Sequence, residues 1–129
     1  MPPKRITFDT VREIGLGLPD VEESTTYGSP SLKVRGKLLT CLAIHKSAEP
    51  DSLAVRIDFE QRAELISADP NTYYLTDHYV DYPVVLVRLR RIHLDALRDL
   101  LDAAWRFVSA KAARSKRPRR KPKSRTGKR

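Results

Sequence analysis

Apolar residues recur at helical spacing in three stretches of the chain. Phe8, Val11, Ile14 and Leu18 predict a helix over 8–17, with Thr7 able to cap it and Gly15, Gly17 and Pro19 ending it. Asp58 with Gln61 three residues on is a capping-box arrangement, and Phe59, Ala63 and Ile66 give the second helix an apolar side before Asp69-Pro70 stops it. Leu94, Leu97, Leu101, Ala104 and Val108 line one face of a third helix over about 94–108, widened by Leu100 and Trp105. Between the helices the period drops to two. Leu32 and Val34 alternate with Lys33 and Arg35, and Gly36-Lys37 signals a turn into a second strand over 37–45. Leu53, Val55 and Ile57 alternate with Ala54 and Arg56, and 73–76 is a short run. Val85, Val87 and Leu89 alternate with Leu86, Arg88 and Arg90 over 84–91. One-sided alternation predicts an α+β two-layer sandwich, a mostly antiparallel sheet with helices on one face.

The same alternation places Lys33, Arg35, Arg56, Arg88 and Arg90 on the non-core side of their strands, with Tyr27, Tyr73 and Tyr74 near them in sequence. Cations beside aromatic rings on a sheet suit nucleic acid, because phosphates need charge and bases stack on rings. Lysines and arginines on a wet sheet face also serve as plain partners for nearby acids, of which this chain has 16.

Length and composition narrow the classes. The 129 residues make one domain, and 40% hydrophobic content suffices for a core. Cys41 is the only cysteine, which excludes a disulfide scaffold. No apolar run approaches the ~20 residues of a membrane span, and the N-terminus lacks a secretory apolar segment, so a soluble cytoplasmic protein is expected.

The formal charge of +9 is unevenly placed: 11 of the 25 Lys and Arg fall in 111–129, which holds no acid. Residues 1–110 keep 14 basic against 16 acidic side chains and are close to neutral. The last nineteen residues hold Pro118, Pro122 and Gly127 and no large aliphatic or aromatic side chain, so the expected division is a domain over 1–110 and a disordered basic tail over 111–129. Within the tail, Lys116, Arg117, Arg119, Arg120, Lys121 and Lys123 alternate with prolines, a pattern that lets cations follow a groove. Nucleic acid is the expected partner, DNA ahead of RNA, with the protein as a monomer. If about five to eight of these charges meet phosphates, log K should fall with log salt at a slope of roughly −5 to −7.

Catalytic chemistry has few places to reside. His45, His78 and His93 show no metal-ligand spacing, and neither phosphate loops nor nucleophile elbows occur. Cys41 lies in an apolar strand and reads as a small core residue, and Asp20, Glu22 and Glu23 read as a solvated acidic loop. The stretch 74–82, with Tyr74, Asp77, His78, Asp81 and Tyr82, is the alternative site for a ligand or protein partner, with the tail then contacting RNA. No cofactor or metal is expected.

The run Leu18-Pro19-Asp20-Val21-Glu22-Glu23-Ser24-Thr25-Thr26-Tyr27-Gly28-Ser29-Pro30-Ser31-Leu32-Lys33-Val34-Arg35-Gly36-Lys37 resembles the signature of the MmcQ/YjbR family. Leu53 to Asp58, Arg62 to Ile66, Tyr82 to Leu89 and Ala104-Trp105-Arg106 continue the match over about 6–109. The resemblance implies a CyaY-like (frataxin-like) fold. It also implies a DNA-binding function, by analogy with a double-wing domain of a phage transcription factor. The wing residues would then be Lys33, Arg35 and Lys37 of the hairpin, with Arg56, Arg88 and Arg90. The family supplies no catalytic residues. Val84 stands where many relatives have Trp, and the basic tail is an addition the resemblance does not explain. Iron handling of the frataxin kind needs a dense acidic ridge, and the first helix offers only Asp9 and Glu13.

Overall fold

The computed structural model describes residues 6–26 and 28–116, the side chains of 111–116 excepted. Helix α1 (Phe8–Leu16) starts where expected. The Thr7 side chain accepts from the Asp9 N–H, the Thr10 hydroxyl accepts from the Thr7 N–H, and Gly17 is the C-cap. Its inner face is Val11 and Gly15, and a side chain at Gly15 would collide with fully buried Leu32. Helix α2 (Phe59–Ala68) begins at Asp58, whose carboxylate accepts from the Gln61 N–H at 2.7 Å.

Six strands follow the order β1-β2-β3-β4-β6-β5, every pairing antiparallel. They are β1 (Val21–Thr26), β2 (Ser29–Val34), β3 (Lys37–Leu42), β4 (Ser52–Arg56), β5 (Tyr73–Tyr74) and β6 (Val84–Arg88). The three helices cover one face. Leu32, Leu39, Leu53, Val55, Val85 and Val87 of the sheet meet Val11 of α1 and Leu97, Leu100, Leu101, Ala104 and Val108 of α3, with Leu65 and Ile66 of α2 packed against them. Leu97 and Leu101 are wholly buried, each stabilising the fold by about 1.5–3 kcal/mol. The Trp105 indole N–H donates to the Pro19 carbonyl at 2.8 Å, tying the last helix to the exit of the first.

Three expectations change. The acidic stretch expected to be a solvated loop is strand β1, an edge strand whose Glu22 pairs across from Lys33 and whose Glu23 meets Arg12 at 3.2 Å. Charge on an edge strand discourages pairing with other chains. Helix α3 (Leu94–Lys116) runs past its expected end at 108 and past the expected boundary at 110. The reason is local: Ala110 to Lys116 are helix-compatible residues, and the next breaker is Pro118. Residues 117–129, which hold most of the expected tail, lie outside the described residues, as does Tyr27.

The second sheet face is also not simply wet. Ala54, Val84 and Leu86 form a small second core on it with Cys41, Ala43, Ala48, Tyr74 and Tyr79. The connections 43–51 and 75–83 supply Ala43, Ala48 and Tyr79 to this cover.

A candidate nucleic-acid interface at the hairpin end of the sheet

The register fixes where each strand cation lies. Ser31, Cys41, Ala54, Leu86 and Tyr74 form one row across the second face. Lys33 and Arg56 each lie two residues beyond that row, toward the β2–β3 hairpin, and Val84 lies opposite Arg56. Only β3 separates Lys33 from Arg56, so their backbones are roughly 10 Å apart, two strand spacings. Arg88 lies opposite Ser52, at the other end of β4 and β6, roughly 13 Å along the strand from the Arg56 level. The six expected sheet cations are therefore split between two ends: Lys33, Arg35, Lys37 and Arg56 at the hairpin end, Arg88 and Arg90 at the far end.

Arg35 is in the turn rather than in β2. Val34 pairs with Lys37, and the two residues between them, Arg35 and Gly36, have φ of 49° and 84°. Positive φ at both positions is a type I′ turn, whose twist suits a two-residue hairpin. The Arg35 guanidinium then folds back on Asp20 at 2.7 Å. Lys33, Lys37 and Arg56 have no ion-pair partner among the described residues.

Arg56 is the distinctive member. It is half-buried and its Nε is shut off from solvent without an acceptor. Loss of hydration pushes its guanidinium pKa down. A cation held this way costs stability and gains from any anion that reaches it. Arg62 of α2 reaches the same strand end, donating to the carbonyls of Tyr82 at 2.7 Å and Val84 at 3.3 Å, and it stacks over Phe59 at 4.7 Å. Burial lowers its pKa and Asp81 partly restores it. Phe59 and Tyr82 are 51% and 57% exposed; the Phe59 ring already carries Arg62, which leaves Tyr82 as the open ring at this strand end. The helical spacing of Phe59 and Arg62 is the sequence signal for that stack.

At the far end Arg88 is consumed by the fold. Its Nε and Nη2 grip both carboxylate oxygens of Glu49 at 2.9 and 2.7 Å. Its Nη1 donates to the Pro70 and Asn71 carbonyls, and its guanidinium covers the Tyr74 ring at 4.1 Å. The bond from Arg88 holds the Glu49 carboxyl below its ordinary range and raises Arg88 itself. This corrects the expected role of Arg88: it fastens the 43–51 connection to the turn before β5 and has no free donor edge for phosphate. Arg90 lies beyond the end of β6, 3.9 Å from Asp51, and does not join the hairpin group. Tyr73 is buried in the main core and Tyr74 lies beneath Arg88, so neither expected ring is open to a base.

The 74–82 stretch is a fastening too. His45 and His78 stack with centroids 3.6 Å apart, and Tyr79 meets both edge-on. The Ser47 N–H donates to His45 Nδ1, and the Ser47 and Thr76 hydroxyls are 2.8 Å apart. Partial burial lowers the His45 pKa, helped by the charges of His78 and Lys46. Burial also raises the Cys41 thiol, in keeping with a packing role. Among the described residues no three His, Cys, Asp or Glu side chains gather closely enough to hold a metal. Nor does any described helix have the length and apolarity to cross a membrane.

Comparison with known proteins agrees with this architecture. A crystal structure from Deinococcus radiodurans, protein DR2400 with domain DUF419, superimposes with a TM-score of 0.70, covering 87% of this chain and 85% of its own at 22% identity. Uncharacterised proteins of Mycobacterium tuberculosis (Rv2570) and Mycobacterium bovis (Mb2600) are each 33% identical over 119 residues, covering 81% of this chain and 90% of the relative. The model of the YjbR family matches residues 16–107. On that match and those relatives, the chain belongs to the YjbR family.

Proposed function

We propose that this protein is a non-enzymatic nucleic-acid-binding protein of the cytoplasm, acting as a monomer and preferring DNA to RNA. The observation that carries the reading is the segregation of charge: eleven cations and no acid in 111–129, on a body whose basic and acidic side chains nearly cancel. Dense positive charge gains affinity for a polyanion by releasing its counterions, whatever the base sequence. The hairpin end adds orientation. Lys33 and Arg56 share the second sheet face there without an ion pair, Lys37 lies across from Val34 on the other face of the same hairpin, and the exposed Tyr82 ring lies on the connection into β6. Phosphates met by that cluster would set how the domain lies on the strand.

Fluorescence anisotropy with labelled DNA and RNA across a salt series tests this. The full chain should give a log–log slope of roughly −5 to −7 on duplex DNA. Ending the chain at Lys116 preserves α3 and removes eight cations, and should weaken binding at least about tenfold, ~1.4 kcal/mol. Equal affinity of the two chains at every salt concentration would overturn the reading.

A further inference from the structure

A cleft of about 860 Å³ lies between α1 and the β6–α3 connection. Its volume is that of a small-ligand site. Ile6, Ile14, Leu89 and Ile92 give it apolar walls. Arg90, Arg91, His93 and Arg98 surround these walls, and Glu13 is the one carboxylate.

Two of the three guanidiniums, Arg91 and Arg98, are left without an ion pair among the described residues. Arg98 has Asp95 three residues before it and Asp102 four residues after it, yet bonds to neither; Asp102 is taken by Arg106 at 3.0 Å. Arg91 has no ion-pair partner among the described residues, and Arg90 has only Asp51 at 3.9 Å. With Asp51 set against Arg90 and Glu13 in the lining, three guanidiniums meet two carboxylates and a net positive charge remains. A phosphomonoester carries about −1.5 to −2 near pH 7 and would be drawn to it. Guanidinium forks match its oxygens in pairs, and the apolar walls suit a planar or apolar body attached to it.

We propose that this cleft binds a phosphomonoester on a planar body, of the mononucleotide class, through Arg90, Arg91 and Arg98. The ligand chemistry has two sources, a free nucleotide or the phosphorylated end of a nucleic-acid strand. The site shares no residue with the hairpin group or with 111–129, so either reading can fail alone.

The test is titration of the full chain with adenosine monophosphate at physiological salt, followed by calorimetry and by backbone amide NMR. Saturable shifts are expected at 89–98, with adenosine and inorganic phosphate each binding at least tenfold more weakly. The double variant Arg91→Gln, Arg98→Gln should weaken the nucleotide at least tenfold. Glu13→Gln should tighten it severalfold, a gain that a misfolded protein cannot imitate. Short strands with and without a 5′-phosphate separate the sources: an end that binds more tightly than the free nucleotide and depends on Arg98 identifies the strand end. Absence of shifts at 89–98 up to millimolar nucleotide, or unchanged affinity in both variants, overturns the proposal.

Discussion

Replacing Arg56 by Met separates function from stability at one position. Methionine keeps an unbranched apolar stem of similar reach and removes the guanidinium. In the folded chain the Arg56 Nε is shut away without an acceptor and the side chain is half-buried. An unmet buried donor costs about 1–3 kcal/mol, and half exposure reduces this to about 0.5–1.5 kcal/mol. Arg56→Met should therefore raise the melting temperature by roughly 2–6 °C. It should also remove one phosphate contact, which weakens DNA binding about tenfold and makes the salt slope shallower by ~1. Thermal melts and anisotropy on the same preparations read both quantities. A lower melting temperature would mean that Arg56 has a stabilising partner in the fold. Unaltered affinity with an unaltered slope would remove the hairpin end from the interface.

Two further outcomes follow from the contacts. Arg88→Ala should do the opposite of Arg56→Met. Its two carbonyl bonds and its ring contact stabilise by about 2 kcal/mol, with the exposed Glu49 pair adding little, so melting should fall roughly 5–10 °C while DNA affinity in the folded protein stays unchanged; a loss of affinity without a loss of stability would reverse the assignment. The His45–His78 stack should open in acid. His45 faces His78, Tyr79, Lys46 and Ser47. Its folded pKa lies below its unfolded one, so the folded state binds fewer protons, and its contribution is present above the unfolded value and lost as pH falls toward the folded one. NMR titration between about pH 7 and about pH 5 should place the His45 midpoint below the ordinary histidine range, and His78→Gln should move it up. An ordinary midpoint, unmoved by His78→Gln, refutes this.

What could be read in the chain beforehand was what short-range chemistry decides. Thr7 and Asp58 cap their helices through bonds spanning two or three residues, and such bonds are visible as residue spacing. The main core followed because Leu32, Val34, Leu53 and Val55 alternate against polar neighbours. The Gly36-Lys37 signal places the turn one residue late. A type I′ turn needs positive φ at both central positions, and Arg35 takes that conformation beside Gly36 with no compositional sign. Strand β1 was hidden because it is polar on both faces, as an edge strand can be. The fate of Arg88 depended on Glu49, 39 residues away, and on Pro70 and Asn71, 17 to 18 away. No periodicity carries a bond of that range, so an outward cation on a strand does not reveal whether its charge is already spoken for.

Under the proposed function, the same charge pattern would govern how a nearly neutral body orients on a polyanion. The grooves between α2 and α3 are lined by Asp58, Glu64, Asp99 and Asp102, with Arg106 the one cation among them. Arg88 and Arg35 are neutralised by Glu49 and Asp20. Lys33, Lys37 and Arg56 at the hairpin end have no ion pair among the described residues, and neither do Arg91 and Arg98 at the cleft beside α1. Over a Debye length of about 8 Å at physiological salt, a phosphate backbone senses these local surpluses rather than the total. On the proposed reading it would be repelled from the α2–α3 side and drawn to the ends of the sheet where cations stay unpaired. In the proposed function the charge of 111–129 would raise the encounter rate without choosing a face, so orientation would have to come from side chains that the fold leaves unpaired.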